Sequence, residues 1–365
     1  MSAQGYRERA LARWRTWVSS AVAAALVGYV AVVAGTASAG TAVDQATRQP
    51  NPHQHVVWSR FVDVDFSAAR IMASDPSGDH LRRLTHPDEG VVDVDPKISP
   101  NGRRVAFERD DAEGISHLMI VGIHGRGLHE VDVCDDPCIG ANQPTWAPDG
   151  RHLYFTRVDG PIDSDGNAVS ARLWRTDLQG QHVVPVSDPN VDGRFEDAWA
   201  QFAPAGYLVF VRVSLARDDA AVFRMRPDGS HACRLTPWSL DADLPDVSPA
   251  TSGPTQNRAV FETYGHGRPP RGKASAIATV RASCGGEHHI RYVTSATSDP
   301  AWHFNPCWSP HGRHVAFVRF KAVDGDPIVH GDIVTSRWDG EHRELISRSP
   351  LFDFRPDWGP APRRS

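Results

Sequence analysis

Short apolar runs rich in β-branched and aromatic residues recur along the chain, each closed off by proline, aspartate or glycine. Five are alike: Arg104-Val105-Ala106-Phe107-Glu108-Arg109, His152-Leu153-Tyr154-Phe155-Thr156-Arg157, Leu208-Val209-Phe210-Val211-Arg212, Ala259-Val260-Phe261-Glu262 and His314-Val315-Ala316-Phe317-Val318-Arg319. Runs of this length and composition favour strands. Each follows a tight turn, clearest in Pro96-Lys97-Ile98-Ser99-Pro100-Asn101-Gly102-Arg103, Pro144-Thr145-Trp146-Ala147-Pro148-Asp149-Gly150-Arg151 and Pro306-Cys307-Trp308-Ser309-Pro310-His311-Gly312-Arg313. Weaker copies lie at 201–206, 245–249 and 356–360. In such a turn proline presets one φ and glycine accepts the positive φ that follows. The turn prolines Pro100, Pro148, Pro204, Pro249, Pro310 and Pro360 stand 45 to 61 residues apart, the spacing of a four-stranded blade with variable loops.

Each of these second strands precedes a third, a further turn (Gly125, Gly180, Asp228-Gly229, Gly285-Gly286, Asp339-Gly340) and a fourth strand. The fourth strands are read at Leu128 to Val131, His182 to Val186, Cys233 to Thr236, Ile290 to Thr294 and Glu344 to Ile346. At the N-terminal end His55 to Arg60, Ala69 to Ala73 and Leu81 to Thr85 supply second, third and fourth strands with no first strand before them. Phe354 to Trp358 is a first strand with no successors. Joining the two sets hides two sheet edges. The expected fold is therefore all-β: a six-bladed β-propeller of four-stranded antiparallel blades, closed by one C-terminal strand joining three N-terminal strands. It spans 53–360, with a tail at 361–365.

The repeated unit, with endings such as Arg83-Leu84-Thr85 and Arg234-Leu235-Thr236, resembles the TolB-type (PD40, WD40-like) propeller repeat. The resemblance is strong in blades 2, 3 and 6 and weak in blades 4 and 5. Propellers of that family serve as periplasmic scaffolds, as ligand binders and, in some relatives, as lyases or peptidase gates. The resemblance thus implies an architecture and leaves function to the site.

Composition agrees with many short strands. Of 365 residues, 30 are Gly and 28 Pro, too many for a bundle of long helices, and 40% are hydrophobic, enough for a core. The net charge of -5 leaves no basic excess for nucleic acid. Arg7, Arg9, Arg13 and Arg15 precede an uncharged stretch from Thr16 to Val43, and Ala37-Ser38-Ala39 supplies small residues for cleavage before Gly40. Residues 1–39 read as a signal peptide, with an uncleaved membrane anchor as the rival, and 40–52 as a linker. The expected location is secreted, periplasmic or facing the cell envelope. Without residues 1–39 the chain has 35 basic and 43 acidic residues, a net charge of -8.

Chemical motifs are sparse. No Gly-x-Ser-x-Gly and no His-Glu-x-x-His occurs. Cys134 and Cys138 lie in the loop between blades 2 and 3 and read as a disulfide in an exported chain; Cys233 and Cys284 could pair, and Cys307 reads as a core filler. The b-to-c and d-to-a loops share one end of the ring and hold most of the acids, while the opposite end is expected to carry only its turn aspartates. The partner-binding candidates are Asp163, Asp165, Asp324 and Asp326, with Arg109, Arg157 and Arg319 beneath them, set against a structural reading in which those arginines pair with aspartates between blades. Asp163, Asp165 and Asn167 resemble part of a calcium loop without its distal Glu, so no cofactor is implied and Ca²⁺ is the one ion in view. The preferred reading is a monomeric scaffold that binds a protein or glycan partner in the cell envelope through this acidic face and touches membrane only through an uncleaved N-terminus. The alternative is a metal-dependent polysaccharide lyase or hydrolase working in the channel, which three convergent histidines would favour.

Overall fold

The computed structural model describes residues 54–62, 67–160, 170–188, 195–217, 219–263, 275–285, 289–294, 302–322, 329–347 and 352–362, with backbone alone for residues 321, 322, 329 and 330. The leader, its Gly40 cleavage point and the linker lie outside these residues.

Blade 1 begins with β1 (Gln54–Phe61), β2 (Ala69–Ser74) and β3 (Arg82–Arg83). Blade 2 holds β4 (Val92–Ile98), β5 (Arg104–Asp110), β6 (Ser116–Gly122) and β7 (His129–Glu130). Blade 3 holds β8 (Cys138–Trp146), β9 (His152–Asp159), β10 (Ser170–Asp177) and β11 (Val184–Pro185). Blade 4 holds β12 (Phe195–Phe202), β13 (Leu208–Ser214), β14 (Asp219–Met225) and β15 (Cys233–Arg234). Blade 5 holds β16 (Ala242–Val247), β17 (Arg258–Thr263), β18 (Ala276–Arg281) and β19 (Arg291–Tyr292). Blade 6 holds β20 (Trp302–Trp308), β21 (His314–Ala322), β22 (Val329–Arg337) and β23 (Glu344–Leu345). The last strand, β24 (Asp353–Pro360), pairs antiparallel with β1 from Gln54↔Pro360 to Arg60↔Asp353 and completes blade 1.

Strand alternation sends successive side chains to opposite faces of a blade, so every blade offers apolar groups to both neighbours. Six buried clusters result, one at each junction. Between blades 1 and 2, for example, Val57, Ile71 and Leu84 meet Ile98, Val105 and Phe107. The closing junction packs Val56, Trp58 and Phe354 against Ala316, Val318 and Ile333. One aromatic side chain per blade, Trp58, Phe107, Phe155, Phe210, Phe261 and Phe317, sits at the same second-strand position and is almost fully buried. Burying each is worth about 1.5–3 kcal/mol, so the recurring aromatic is an interblade anchor.

Fourth strands pair over only two residues, shorter than the sequence suggested. The next residues explain this. The Leu, Ile or Val after the strand packs at the junction, and in blades 1, 3, 4, 5 and 6 the Thr or Ser beyond it accepts a third-strand amide in place of a ladder bond. Ile71 N–H donates to Thr85 Oγ1 at 2.9 Å, Val222 to Thr236 Oγ1 at 2.9 Å and Ile333 to Ser347 Oγ at 2.9 Å. That is the physical content of the Arg-Leu-Thr endings. The second turn of every blade but the fifth then presses on the preceding blade: a Cβ on Gly229 (φ +82°) would lie 1.9 Å from the Val186 carbonyl oxygen.

Candidate functional site

The six first strands line the central channel, and each is interrupted by a bulge. The register slips between Val94 and Lys97, Asn142 and Thr145, Ala198 and Gln201, Asp243 and Asp246, and Phe304 and Cys307, and likewise where β24 passes β1. The bulge residues are Asp95, Gln143, Trp199, Leu244, Asn305 and Arg355, all with φ between 46° and 54° (50°, 53°, 49°, 47°, 50° and 53°). Five of the six precede a proline, which has no N–H for the ladder and is tolerated at a bulge. Left-handed backbone costs a non-glycine residue about 1–3 kcal/mol and persists only where the surroundings hold it. Here carboxylates help to hold it. Gln143 N–H donates to Glu108 at 2.9 Å, Asn305 N–H to Glu262 at 2.5 Å, and Leu244 N–H to Asp243 at 2.7 Å.

This ring forms a constriction. Arg355 reaches from blade 1, with Nη1 3.3 Å from Asp95 Oδ1 and its guanidinium 5.5 Å from the ring of Trp199 on the opposite blade. The cavity among these residues has a volume of about 40 Å³, room for two or three waters. Toward the turn end, Lys97 Nζ lies 3.4 Å from Asp357, whose other oxygen accepts Ile98 N–H at 2.8 Å, and Asp246 accepts Trp308 N–H at 2.6 Å. Burial alone would push the Lys97 ammonium down, but Asp357 and Asp246 outweigh it and hold it above its ordinary range. The same burial, reinforced by nearby carboxylates, raises Asp243 to about 7, Asp246 and Asp110 to about 6, and Glu108 well above the carboxylate range. Burial thus makes these first- and second-strand carboxylates harder to ionise than free ones. Among the described residues no histidine lines it, His303 is buried in β20 against Phe317, and no three His, Cys, Asp or Glu side chains converge on a metal position.

The second-strand arginines lie inside blades. Arg109 meets Asp93 through two bonds of 2.7 and 2.9 Å, and Asp93 in turn holds the guanidinium above its usual range. Arg60 pairs with Asp353 and Arg212 with Asp197 in the same way. Arg157, with no carboxylate opposite it at Ala141, turns to Asp159 at 2.7 Å and the Asp135 carbonyl at 2.9 Å. Arg319 stands opposite His303 in the ladder. The pairs join first and second strands of one blade, which corrects the expectation of pairing between blades: a ladder partner is about 5 Å away and already desolvated. Asp93, Asp95, Asp197, Asp243 and Asp246, read from the sequence as loop acids at the mouth of the ring, are corrected with them. They belong to first strands and not to loops, because those strands begin earlier than the turn motif suggests. Asp163, Asp165, Asn167, Asp324 and Asp326 lie outside the described residues. Cys134 is bonded to Cys138 and Cys233 to Cys284, while Cys307 is a buried thiol.

The remaining charges separate by end. Outside the strands, the described loop-end connections hold nine carboxylates (Asp88, Glu89, Asp111, Glu113, Asp132, Asp135, Asp136, Asp188 and Asp241) against Arg217 alone. Of the acids, the turn end was expected to carry only its turn aspartates; its described turns hold five aspartates and Glu341, alongside six arginines and seven histidines. The bulge ring escaped sequence reasoning, though its signal was present in the residue before each repeat's first proline.

The fold and channel define a closed six-bladed propeller. No protein-family model matches the chain, and no curated protein matches it by sequence. Among solved structures it is similar to TolB from Acinetobacter baumannii, with TM-score 0.61 and 16% identity over 84% of this chain and 66% of that one. It is also similar to hydrazine synthase from Kuenenia stuttgartiensis (0.63, 13%, 86% and 48%) and to a protein described as TolB from Agrobacterium tumefaciens (0.54, 16%, 85% and 91%). The chain spans just under two thirds of the first and about half of the second. The fold is TolB-like.

Proposed function

We propose that the chain is an exported propeller that binds a protein or glycan presenting cationic groups at the loop-rich end of its ring, in the cell envelope. The observation that carries this is the nine-to-one excess of carboxylates over arginine in the described connections at that end. Their fields add over a face that the channel constriction closes behind, so a ligand would be met at the mouth and not deep in the ring. The leader read in residues 1–39 supports the location. Recognition on loops carried by a rigid ring is the common arrangement of such scaffolds.

The test is photo-crosslinking in envelope extract, with a reactive group placed at Asp135 or at His311. Partner capture is expected from position 135, weakening between 0.05 and 0.5 M salt, because the Debye length, about 10 Å at 0.1 M, shortens as salt rises and screens exposed charges. The variant Asp163→Asn, Asp165→Asn, Asp324→Asn, Asp326→Asn should capture less while melting unchanged. Equal capture from both ends, indifferent to salt, would sink the proposal.

A further inference from the structure

The turn end has its own chemistry. Its turn aspartates accept the amides of their own turns: Ser77 and Asp79 N–H donate to Asp75, Arg151 N–H to Asp149, and Ser230 N–H to Asp228. Their charge is met by backbone dipoles, as in other Asx turns. The arginines of the same turns point out. Arg103, Arg126, Arg151, Arg226 and Arg313 are exposed, and Arg281 joins them from the end of β18. The flanking strand ends add exposed Arg83, Arg291 and Arg337 against Glu130 and Glu344, so with Asp79, Asp149, Asp228 and Glu341 of the turns the exposed count is nine arginines to six carboxylates. The exposed groups of this end therefore carry a net positive charge, in contrast to the nine-to-one carboxylate excess of the loop end.

Two further observations say what would cover this face. Both ends of the described chain emerge there, since Gln54 pairs with Pro360 beside the blade 2 turn, where a Cβ on Gly102 would strike the Pro360 carbonyl. The apolar heart of the leader, Val18 to Ala34, ends 20 residues before Gln54, a span that reaches at most about 70 Å when fully extended. The chain thus enters the propeller on its cationic side, whether or not residues 1–39 are retained. The face also carries a cavity of about 160 Å³ lined by Gly253, Pro254, Gln256, Asn257, Arg281 and Ser283. Arg281 supplies the charge, and the amide and hydroxyl side chains supply neutral donors, a set suited to a phosphodiester group.

We propose that the turn end docks on an anionic phospholipid surface, placing the acidic loop end away from the bilayer. Arginines near such a surface each contribute attraction that salt removes, and the phosphodiester headgroup is the anion the blade 5 cavity would take. This rests on the envelope reading above only for where the bilayer is met; the binding itself does not depend on it.

The experiment uses the full chain with vesicles of phosphatidylcholine alone or with phosphatidylglycerol. Sedimentation should show at least tenfold tighter association with phosphatidylglycerol at 0.05 M salt, falling toward parity at 0.5 M. Hydrogen exchange should slow in the turns at 99–104 and 226–232 and not at 131–137. The variant Arg103→Gln, Arg126→Gln, Arg151→Gln, Arg313→Gln should lose at least tenfold of the phosphatidylglycerol preference while its association with phosphatidylcholine is unchanged. An unchanged preference in the variant, or protection at 131–137 instead, overturns the proposal. Displacement by millimolar glycerol phosphate would also overturn it, by reducing the site to one for a free phosphate ester. Should the variant fold poorly, the salt and exchange measurements on the parent decide. A negative result here leaves the crosslinking test of the loop end standing.

Discussion

Asp243 offers a direct test of the strain stored around the channel. It sits at the last ladder pair before the blade 5 bulge, opposite Glu262, with one oxygen accepting the Leu244 amide at 2.7 Å. Burial, then the neighbouring Glu262, raises its pKa from 3.8 to about 7. In the unfolded chain the group ionises near its ordinary value, so between pH 4 and 7 the native state holds a proton that the unfolded state has lost. Stability contributed by this group therefore falls as pH rises through that window and is lowest above pH 7. At about 1.4 kcal/mol per unit, the ceiling is roughly 4 kcal/mol. Asp243→Asn cannot ionise yet keeps an oxygen for the Leu244 amide. The variant should then be more stable than the parent by about 2–4 kcal/mol at pH 8, with the gain shrinking toward pH 4. With an unfolding entropy of about 2 cal/mol/K per residue over roughly 300 residues, that is about 3–6 °C in Tm. Thermal melts of both proteins at pH 5, 6, 7 and 8 measure it. A variant less stable by the same amount at every pH would refute the reasoning, since the carboxylate would then serve as a hydrogen-bond anchor and not as a buried charge.

Two other perturbations probe the ring. Deleting residues 352–365 removes β24, exposes the β1 edge and strips Phe354 from the closing junction, so the chain should aggregate or lose a single cooperative transition, seen by light scattering and calorimetry; an unaltered melt would mean that closure does not hold the ring. Gly229→Ala should lower Tm by several degrees, because the new Cβ meets the Val186 carbonyl at 1.9 Å, whereas Gly253→Ala, with a similar φ of +86° and nothing within 4 Å, carries backbone strain alone; equal losses in the two would remove the steric account of interblade packing.

Architecture was legible because it is repeated. A Pro-Asp-Gly turn, a β-branched run with one central aromatic and an Arg-Leu-Thr ending each carry a separate job: turn geometry, junction anchoring and replacement of a ladder bond. Decay of one signal in a blade left the others to mark it. Blade 4 has lost the Asp-Gly turn at Ala205-Gly206 yet keeps Phe210 and Leu235-Thr236. The missing first strand of blade 1 was visible as Phe354 to Trp358 for the same reason. The bulges were not visible, because a bulge is a mismatch between two strands and a single strand's alternation carries only a faint trace of it. The proline after Asp95, Gln143, Leu244, Asn305 and Arg355 is that trace.

Charge was harder to read than apolar pattern, and the reason is geometric. An aspartate two residues before a bulge and one in a neighbouring loop look the same in a sequence, yet Asp93 is fully buried against Arg109 while Asp88 is exposed. The distinction lies in the partner strand. Where the second strand ends in arginine and the first strand offers Asp at the matching rung, the pair neutralises itself, as at Asp93, Asp197 and Asp353. Blade 5 breaks that match, with Ala242 opposite Thr263 and Asp243 opposite Glu262 at the next rung. There two carboxylates face each other without a cation in the ladder, and Glu262 adds to the burial that raises Asp243. A ring with Arg–Asp ladder pairs in blades 1, 2 and 4 and two facing carboxylates in blade 5 is electrostatically lopsided. Its tension is relieved by protons at low pH.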